Sequence, residues 1–421
     1  MKIIAVAAMA AFLVVAWPNA GRAQGSFEQT VSNLTSTDHR ARMRAVQILK
    51  DGAYEAAAVP LARTVLDERN DIQLESIAAE LKIFLAEKST SRKYAGRIAE
   101  THGRLDADAV FTAGPGALGA RRVPLPVVRA LITVTHDGNP KVVLEAVYAL
   151  GALGGEVTAA DRAALLRDAA PVVAGLLGVP DPALRYAAVR VAGRLFAVRP
   201  GDAPIDDLLG HGVIAALNDR EEPIREAAMD ALGSMRYEPS ARALGELFRY
   251  YRKGRLAVAS LGALARIGQA ASVPEFVEQM SAKDVSFRVL AIEGLARTGD
   301  RSRNEAIQVG MGRENQGAVL LAAHFANVML ADGAVDVIVA SLADDTLHEQ
   351  AMGYVIELAA RHPEAFVRFV QDPKPDVRAS VVDALGVSGN PSVLPALRQA
   401  LQDRNLDVQH AAIRAIARLG A

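Results

Sequence analysis

Residues 373–389 read PKPDVRASVVDALGVSG, and residues 404–420 read RNLDVQHAAIRAIARLG. Take Arg378 and Gln409 as index positions. Three residues on stand Val381 and Ala412, seven on stand Leu385 and Ile416, and eleven on stand Gly389 and Gly420. Offsets of three and seven fall on one helical face, so each stretch predicts an amphipathic helix with that face turned to a core. Glycine just past the last turn adopts the left-handed conformation that closes a helix without a Cβ clash.

Working outward, the same plan recurs along most of the chain. Equivalent index positions are Arg42, Glu75, Val143, Arg185, Arg225, Ala257, Arg288, Val319, His348, Arg378 and Gln409. Their spacings are 33, 68, 42, 40, 32, 31, 31, 29, 30 and 31 residues. A period near 31 marks a stacked array, and the gap of 68 implies a degenerate copy or an insertion. The third position is alanine in nine of eleven copies, which lets two helices approach closely at one contact. The seventh is usually Leu, Ile or Val, as at Leu49, Leu150, Leu232, Leu264, Leu295, Val355, Leu385 and Ile416. The eleventh is Gly154, Gly268, Gly299, Gly389 or Gly420 in five copies, each expected to be left-handed.

Asn139-Pro140, Asp181-Pro182 and Asp372-Pro373 precede these helices. A short polar side chain caps free N–H groups, and proline suits the first turn, where its missing donor does no harm. Between indexed helices lie further apolar-periodic segments such as 391–401, 213–217 and 273–277. The unit is therefore a pair of antiparallel helices that buries both faces only by stacking. Eleven or twelve pairs at helix-packing distances give a contour of roughly 90–110 Å.

The DVRASVVDALG stretch at 376–386 resembles the second helix of a HEAT repeat. Related stretches are Leu184-Arg185 with Ala188, Ile224-Arg225 with Ala228 and Leu232-Gly233, and Phe287-Arg288 with Ala291. The short period is similar to the HEAT-like repeats named after phycobilisome lyases. The resemblance implies an all-α solenoid over roughly 36–421, a fold shared by scaffolds, receptors and a few enzymes. The expected organisation is a signal segment at 1–23, N-terminal repeats at 24–87, an irregular or degenerate repeat with a Gly/Pro-rich loop at 88–135, and a regular array at 136–421. HEAT-like arrays commonly join neighbouring repeats by a ladder of charges. Asp181/Arg185, Glu221/Arg225 and Asp284/Arg288 carry the favourable i,i+4 order for ion pairs, and Asp376 and Arg378 are expected in the same ladder.

The N-terminus is a separate object. Lys2 precedes an apolar run from Ile3 to Trp17, then Pro18-Asn19 and the small residues up to Ala23. That pattern describes a bacterial-type secretory signal cleaved near Ala23, with an uncleaved anchor as the alternative. The expected location is the periplasm or beyond. At 51% hydrophobic and 23% charged, the 421 residues have ample apolar surface for a core. The absence of cysteine excludes disulfides, thiolate chemistry and cysteine-linked lipid. Removal of Lys2 and Arg22 takes the net charge from −1 to −3, so nothing points to a polyanion partner such as nucleic acid. No later segment reads as membrane-spanning.

No catalytic, cofactor-binding or metal-binding residue set is indicated. Gly114-Pro115-Gly116 with Gly119 matches a dinucleotide-binding pattern only formally. Pro124 and Pro126 interrupt any helix behind it, and no βαβ unit surrounds it, so it reads as a loop. The eight histidines show no metal-ligand spacing. The HEAT-like deoxyhypusine hydroxylases imply several His-Glu pairs at index positions, whereas only His348-Glu349 matches here, which disfavours a di-iron oxygenase. Arg249, Tyr250, Tyr251, Arg252, Lys253 and Arg255 interleave basic and aromatic side chains, and read either as a solvated turn or as part of a partner-binding surface. The expected function is an extra-cytoplasmic scaffold whose curved groove binds a protein or peptide. The alternative is an envelope element that self-associates through its C-terminal repeat.

Overall fold

The computed structural model describes residues 20–85, 100–101, 104–114, 117–119, 121–199 and 201–419; the run Ile3–Trp17 and Gly420 lie outside them. Helices pair along the chain. The first pairs are α1 (Ala20–Asn33) with α2 (His39–Gly52) and α3 (Ala58–Thr64) with α4 (Asn70–Phe84). A two-residue ribbon follows, β1 (Glu100–Thr101) antiparallel to β2 (Arg104–Leu105), and then a lone helix, α5 (Ala107–Ala113). Pairing resumes with α6 (Leu125–Val134) and α7 (Pro140–Leu153), α8 (Ala159–Leu176) and α9 (Pro182–Leu195), and α10 (Asp207–Ala216) and α11 (Glu222–Ser234). It continues through α12 (Ala241–Tyr251) and α13 (Arg255–Ile267), α14 (Val273–Gln279) and α15 (Val285–Arg297), and α16 (Arg303–Gly310) and α17 (Gly317–Ala331). The last pairs are α18 (Asp336–Ala340) and α19 (His348–Arg361), α20 (Glu364–Val367) and α21 (Pro375–Val387), and α22 (Leu394–Ala400) and α23 (Leu406–Leu419).

The described chain is thus an all-α solenoid of eleven pairs, with every index residue on a second helix. Third-position alanines and seventh-position leucines are buried throughout. A buried leucine contributes about 1.5–3 kcal/mol, and six of the eleven repeats carry one at the seventh position.

Second helices pack tightly on one another, whereas α10, α12 and α14 barely meet. The reason is a small-residue contact. A Cβ on Gly193 would lie 2.8 Å from Ala231 Cα, one on Gly233 2.9 Å from Ala263 Cα, and one on Gly386 2.5 Å from Ala415 Cα. Each glycine stands eight residues past its index, and its alanine partner six past the next. One layer spaced more closely than the other forces curvature, with the second helices inside.

The curvature brings distant repeats together. Arg236, after α11, meets Glu357 of α19 at 3.0 Å, and Arg297 of α15 meets the same carboxylate at 3.0 Å. Tyr354 donates to Glu293 at 2.6 Å, and its ring stacks on Phe325 with centroids 4.3 Å apart. Burial opposes the charge on Glu357, but Arg297, Arg236 and Arg361 outweigh it and hold the carboxyl below its usual range. These contacts bridge the end of α11, α15 and α19 across the inner face. Further along, Arg122 donates to the Arg418 carbonyl at 2.6 Å, so α23 returns to the start of the third pair.

Several expectations need correction. The gap of 68 holds an insertion and no missing copy: α4 packs directly on α7, and α3 on α6. The irregular segment ends before Leu125, because α6 is the first helix of a regular pair. The index in α4 is Gln73 and not Glu75. Gln73 stands three residues into its helix, as Arg185 and Arg378 do in theirs, and its Nε2 donates to Asp137 of the next pair at 3.0 Å. The sequence misaligns there because buried Ser76 replaces the usual alanine, and its hydroxyl donates to Thr64 at 2.7 Å. Gly268, Gly299 and Gly389 are left-handed, with φ of 68°, 74° and 70°. Gly154 is right-handed at φ −63°, because the chain runs straight on into a 3-10 turn at Gly154–Glu156. Asn139 and Asp181 cap α7 and α9. Asp372 instead accepts from the Lys374 N–H at 2.9 Å, and α21 starts two residues later than expected.

The index residues work differently from i,i+4 pairs. Asp181 and Asp284 accept from the N–H groups of Ala183 and Ser286 at their own helix starts. Arg185 pairs instead with Asp219 at 2.7 Å, Arg288 with Glu314 at 3.0 Å, Arg378 with Asp403 at 2.7 Å and Arg42 with Asp67 at 2.8 Å, each acid lying in the following pair. The same arginines donate backwards to turn carbonyls, Arg185 to Val179 at 3.0 Å and Arg378 to Asp372 at 2.8 Å. Arg225 makes the backward bond to Asp219 at 2.9 Å, but Tyr251 stands where the forward acid would be. Asp376 offers its backbone carbonyl to the Ser380 hydroxyl at 2.9 Å, and the carboxylate that holds Arg378 is that of Asp403.

Candidate functional site

The insertion decides where the inner face stays open. Leu118 bridges to Leu85, and the Gly119 N–H donates to Phe84 at 2.8 Å, which ties the Gly/Pro-rich loop to the end of α4. Pro115 and Gly116 lie outside the described residues. Asp106 caps α5, Gly114 ends it with φ of 79°, and the helix lies on α7 with Phe111 facing α9.

Between α5, α9, α11 and α13 lies a groove of about 450 Å³. Tyr186, Arg190 and Arg194 of α9 form one wall with Phe111. Glu226 and Asp230 of α11 and Arg255 of α13 form the other. The Arg190 guanidinium lies 4.9 Å from the Phe111 centroid and 5.4 Å from that of Tyr186, and pairs with Asp108 at 2.9 Å. Stacked cation and ring offer a flat amphipathic surface. On the other wall Arg255 bonds Glu226 at 3.2 Å, and Asp230 is held by Arg266 at 2.7 Å. Burial first, and then the Asp108 charge, raise the hydroxyl pKa of Tyr148, which lies behind Arg190.

The basic-aromatic segment does not gather into one surface. Arg249 pairs with Glu275. Tyr250 is 77% exposed and lines a second, outer cavity of about 350 Å³ with Ile214, Leu217 and Leu247. Tyr251 meets Tyr250 edge-on at 5.1 Å. Arg252, left-handed at φ 61°, and Lys253 form the exposed turn. Of the six residues, only Arg255 reaches the inner groove. Sequence reasoning missed Phe111, Tyr186, Arg190 and Arg194. The i,i+4 arginines of α9, set off its core positions, were the available signal.

His348 of the lone His-Glu pair lies with Nδ1 2.7 Å from the Leu342 carbonyl, the same backward bond that the index arginines make. Among the described residues no three His, Asp or Glu side chains gather as metal ligands. No described helix is long and apolar enough to cross a membrane.

The model of the HEAT-repeat family matches residues 362–421. Those residues carry HEAT repeats. No curated protein matches the sequence. Among solved structures, the chain is similar to an engineered protein at 17% identity, over 94% of this chain and 99% of that one, with a TM-score of 0.44. It is similar to a designed armadillo repeat protein in complex with the peptide (KR)4 at 14% identity, over 64% and 98%, with a TM-score of 0.36. It is also similar to the CpcE–CpcF complex of phycocyanin lyase from Nostoc sp. PCC7120 at 19% identity, over 59% and 93%, with a TM-score of 0.40.

Proposed function

We propose that this HEAT array is a non-catalytic scaffold that holds a protein or peptide partner in its inner groove, and that it works outside the cytoplasm. The observation that carries the binding reading is the groove itself. The Glu357 cluster bridges the end of α11, α15 and α19 across the inner face, whereas between α5 and α13 aromatic and charged side chains surround open space. An extended segment laid there meets ring faces on one wall and hydrogen-bonding charges on the other.

A photocrosslinking residue at Ala227, in the groove, is expected to trap a discrete partner in the native host. The same residue at Val277, on an outer helix, is expected not to. Equal adducts from both positions would remove the groove from the reading. The export reading rests on the residue pattern before Ala23. N-terminal sequencing of protein recovered from the host envelope tests it, and a chain starting at Met1 would overturn cleavage. Self-association is a second reading, carried by Leu406 and Ile413, which are 66% and 52% exposed on α23. A strict monomer across the micromolar range in sedimentation would remove it.

A further inference from the structure

The inner groove ends on positive charge that the chain leaves largely unopposed. Arg194 lines the groove. One of its Nη atoms donates to the Phe111 carbonyl and its guanidinium lies 4.9 Å from the Phe111 centroid, yet it has no carboxylate partner among the described residues. Arg199, just past α9, is exposed and donates to the Gly155 carbonyl at 3.3 Å. Arg122 donates to the Arg418 carbonyl at 2.6 Å, and Arg418 lies within electrostatic reach of Arg199. Two carboxylates are nearby. Arg162 holds Asp202 through two bonds of 2.8 Å, and Glu156 lies within electrostatic reach of both Arg194 and Arg199. Burial, reinforced by Arg190 and Arg199, lowers the Arg194 pKa to about 10.

Charge crowded in this way is relieved by an anion with oxygen acceptors, and guanidinium forks match a carboxylate in two-point geometry. We infer that Arg122, Arg194, Arg199 and Arg418 form a receptor for a carboxylate of an acidic peptide whose remaining residues lie in the groove. The inference rests on the scaffold reading and names the chemistry of its partner. The rest of the groove decides against an extended polyanion. A nucleic acid needs a continuous basic track. Past Arg194 the track stops, because Glu226 neutralises Arg255 and Asp230 neutralises Arg266. A peptide with an apolar or aromatic body and acidic groups at one end fits both parts. The site also joins the two sides of the coil: Arg122 and Arg199 lie near its start, Arg418 at its return.

The test is selection of a random nonapeptide display library on the full chain. Enriched peptides are expected to be rich in Asp and Glu. Binding of the best of them is expected to weaken by about tenfold or more in Arg199→Glu, as loss of a desolvated charge partner does, and to weaken with added salt. Arg199 is exposed, so this variant is expected to fold with the parent's circular dichroism and thermal midpoint. Arg194→Met is the second variant, read the same way. Enriched peptides without acidic bias, or acidic peptides that bind Arg199→Glu as well as the parent, would overturn this inference and leave the scaffold reading standing. No enriched peptide at all would overturn both.

Discussion

Replacing Arg378 with methionine keeps the length of the side chain and removes everything polar that it does. Four contacts disappear: two to Asp403 at 2.7 and 2.8 Å, and two to the carbonyls of Asp372 and Pro373 at 2.8 and 3.3 Å. Breaking a buried ion pair from one side costs about 3–5 kcal/mol. Arg378 and Asp403 retain 15% and 13% exposure, and Asp403 keeps the Asn405 N–H at 2.8 Å, so the loss falls to about 2–3 kcal/mol. In a stacked array that loss spreads mainly to neighbouring pairs, with the bond from Arg122 to α23 as a longer link. Hydrogen exchange read by segment is the assay. A loss of 2 kcal/mol accelerates exchange about 30-fold where opening is local. The acceleration is expected in α21, α22 and α23, with α9, α11 and α13 unchanged. A double-mutant cycle with Asp403→Asn isolates the pair and is expected to show coupling of about 1–2 kcal/mol. Exchange that rises evenly along the chain, or a loss below about 0.5 kcal/mol, the size of a surface substitution, would refute the view that the index arginine joins one repeat to the next.

Glu80 is fully buried, and both of its carboxyl oxygens lack a partner among the described residues. Burial pushes its pKa well above the ordinary 4.5, so the folded chain keeps the proton to higher pH than the unfolded chain; stability is complete below 4.5 and drains as pH rises through the folded value. Glu80→Met is therefore expected to stabilise by about 1–3 kcal/mol or more at neutral pH, with the gain shrinking near pH 4 in denaturant melts; a pH-independent effect would contradict the cause. The ladder carboxylates behave oppositely. Arg185 and Arg378 hold Asp219 and Asp403 below 3.8, so that stability is present above 3.8 and lost as pH falls through the depressed values, and Arg378→Met should flatten this acid limb. Gly386→Val puts a branched side chain where even a Cβ would sit 2.5 Å from Ala415 Cα, and is expected to cost at least about 1–3 kcal/mol, partly recovered by Ala415→Gly. Trp17 is the only tryptophan, so chain cleaved after Ala23 is expected to show no tryptophan emission; a tryptophan band from pure envelope protein would show that the signal is retained.

The repeat was legible because many copies report one geometry. Ala188, Ala228 and Ala291 mark one helix contact, and Leu232, Leu264 and Leu295 mark the core. Deviations were misread for the same reason. In α4 the core position seven past Gln73 is Glu80, and the small residue is Ser76, so alignment by alanine slipped two residues to Ala78. The ladder was legible in its arginines but not in its partners. An i,i+4 carboxylate is visible along a sequence, whereas Arg185 reaches 34 residues on to Asp219. The groove was hidden for a different reason. Phe111 comes from an insertion outside the repeat, and it meets Arg190 and Arg194 only because α5 folds back onto α7. No period predicts that. The basic-aromatic run looked like one patch because its residues are consecutive, but a helix end and a turn send them to opposite sides of the array.

An array of helix pairs without cross-links behaves mechanically as a soft spring, since small rotations at each joint add up. Glu357 changes that. By gripping Arg297 and Arg236 it ties three coils together the way a staple ties the turns of a wire, and the bond from Arg122 to Arg418 adds a second fastening further along. Pulled from its two sides, such a body has a stiff first response and then a sudden lengthening when the staples let go, all before any repeat unravels. Whatever lies in the groove meets one wall, α11, whose end is anchored to the Glu357 staple through Arg236.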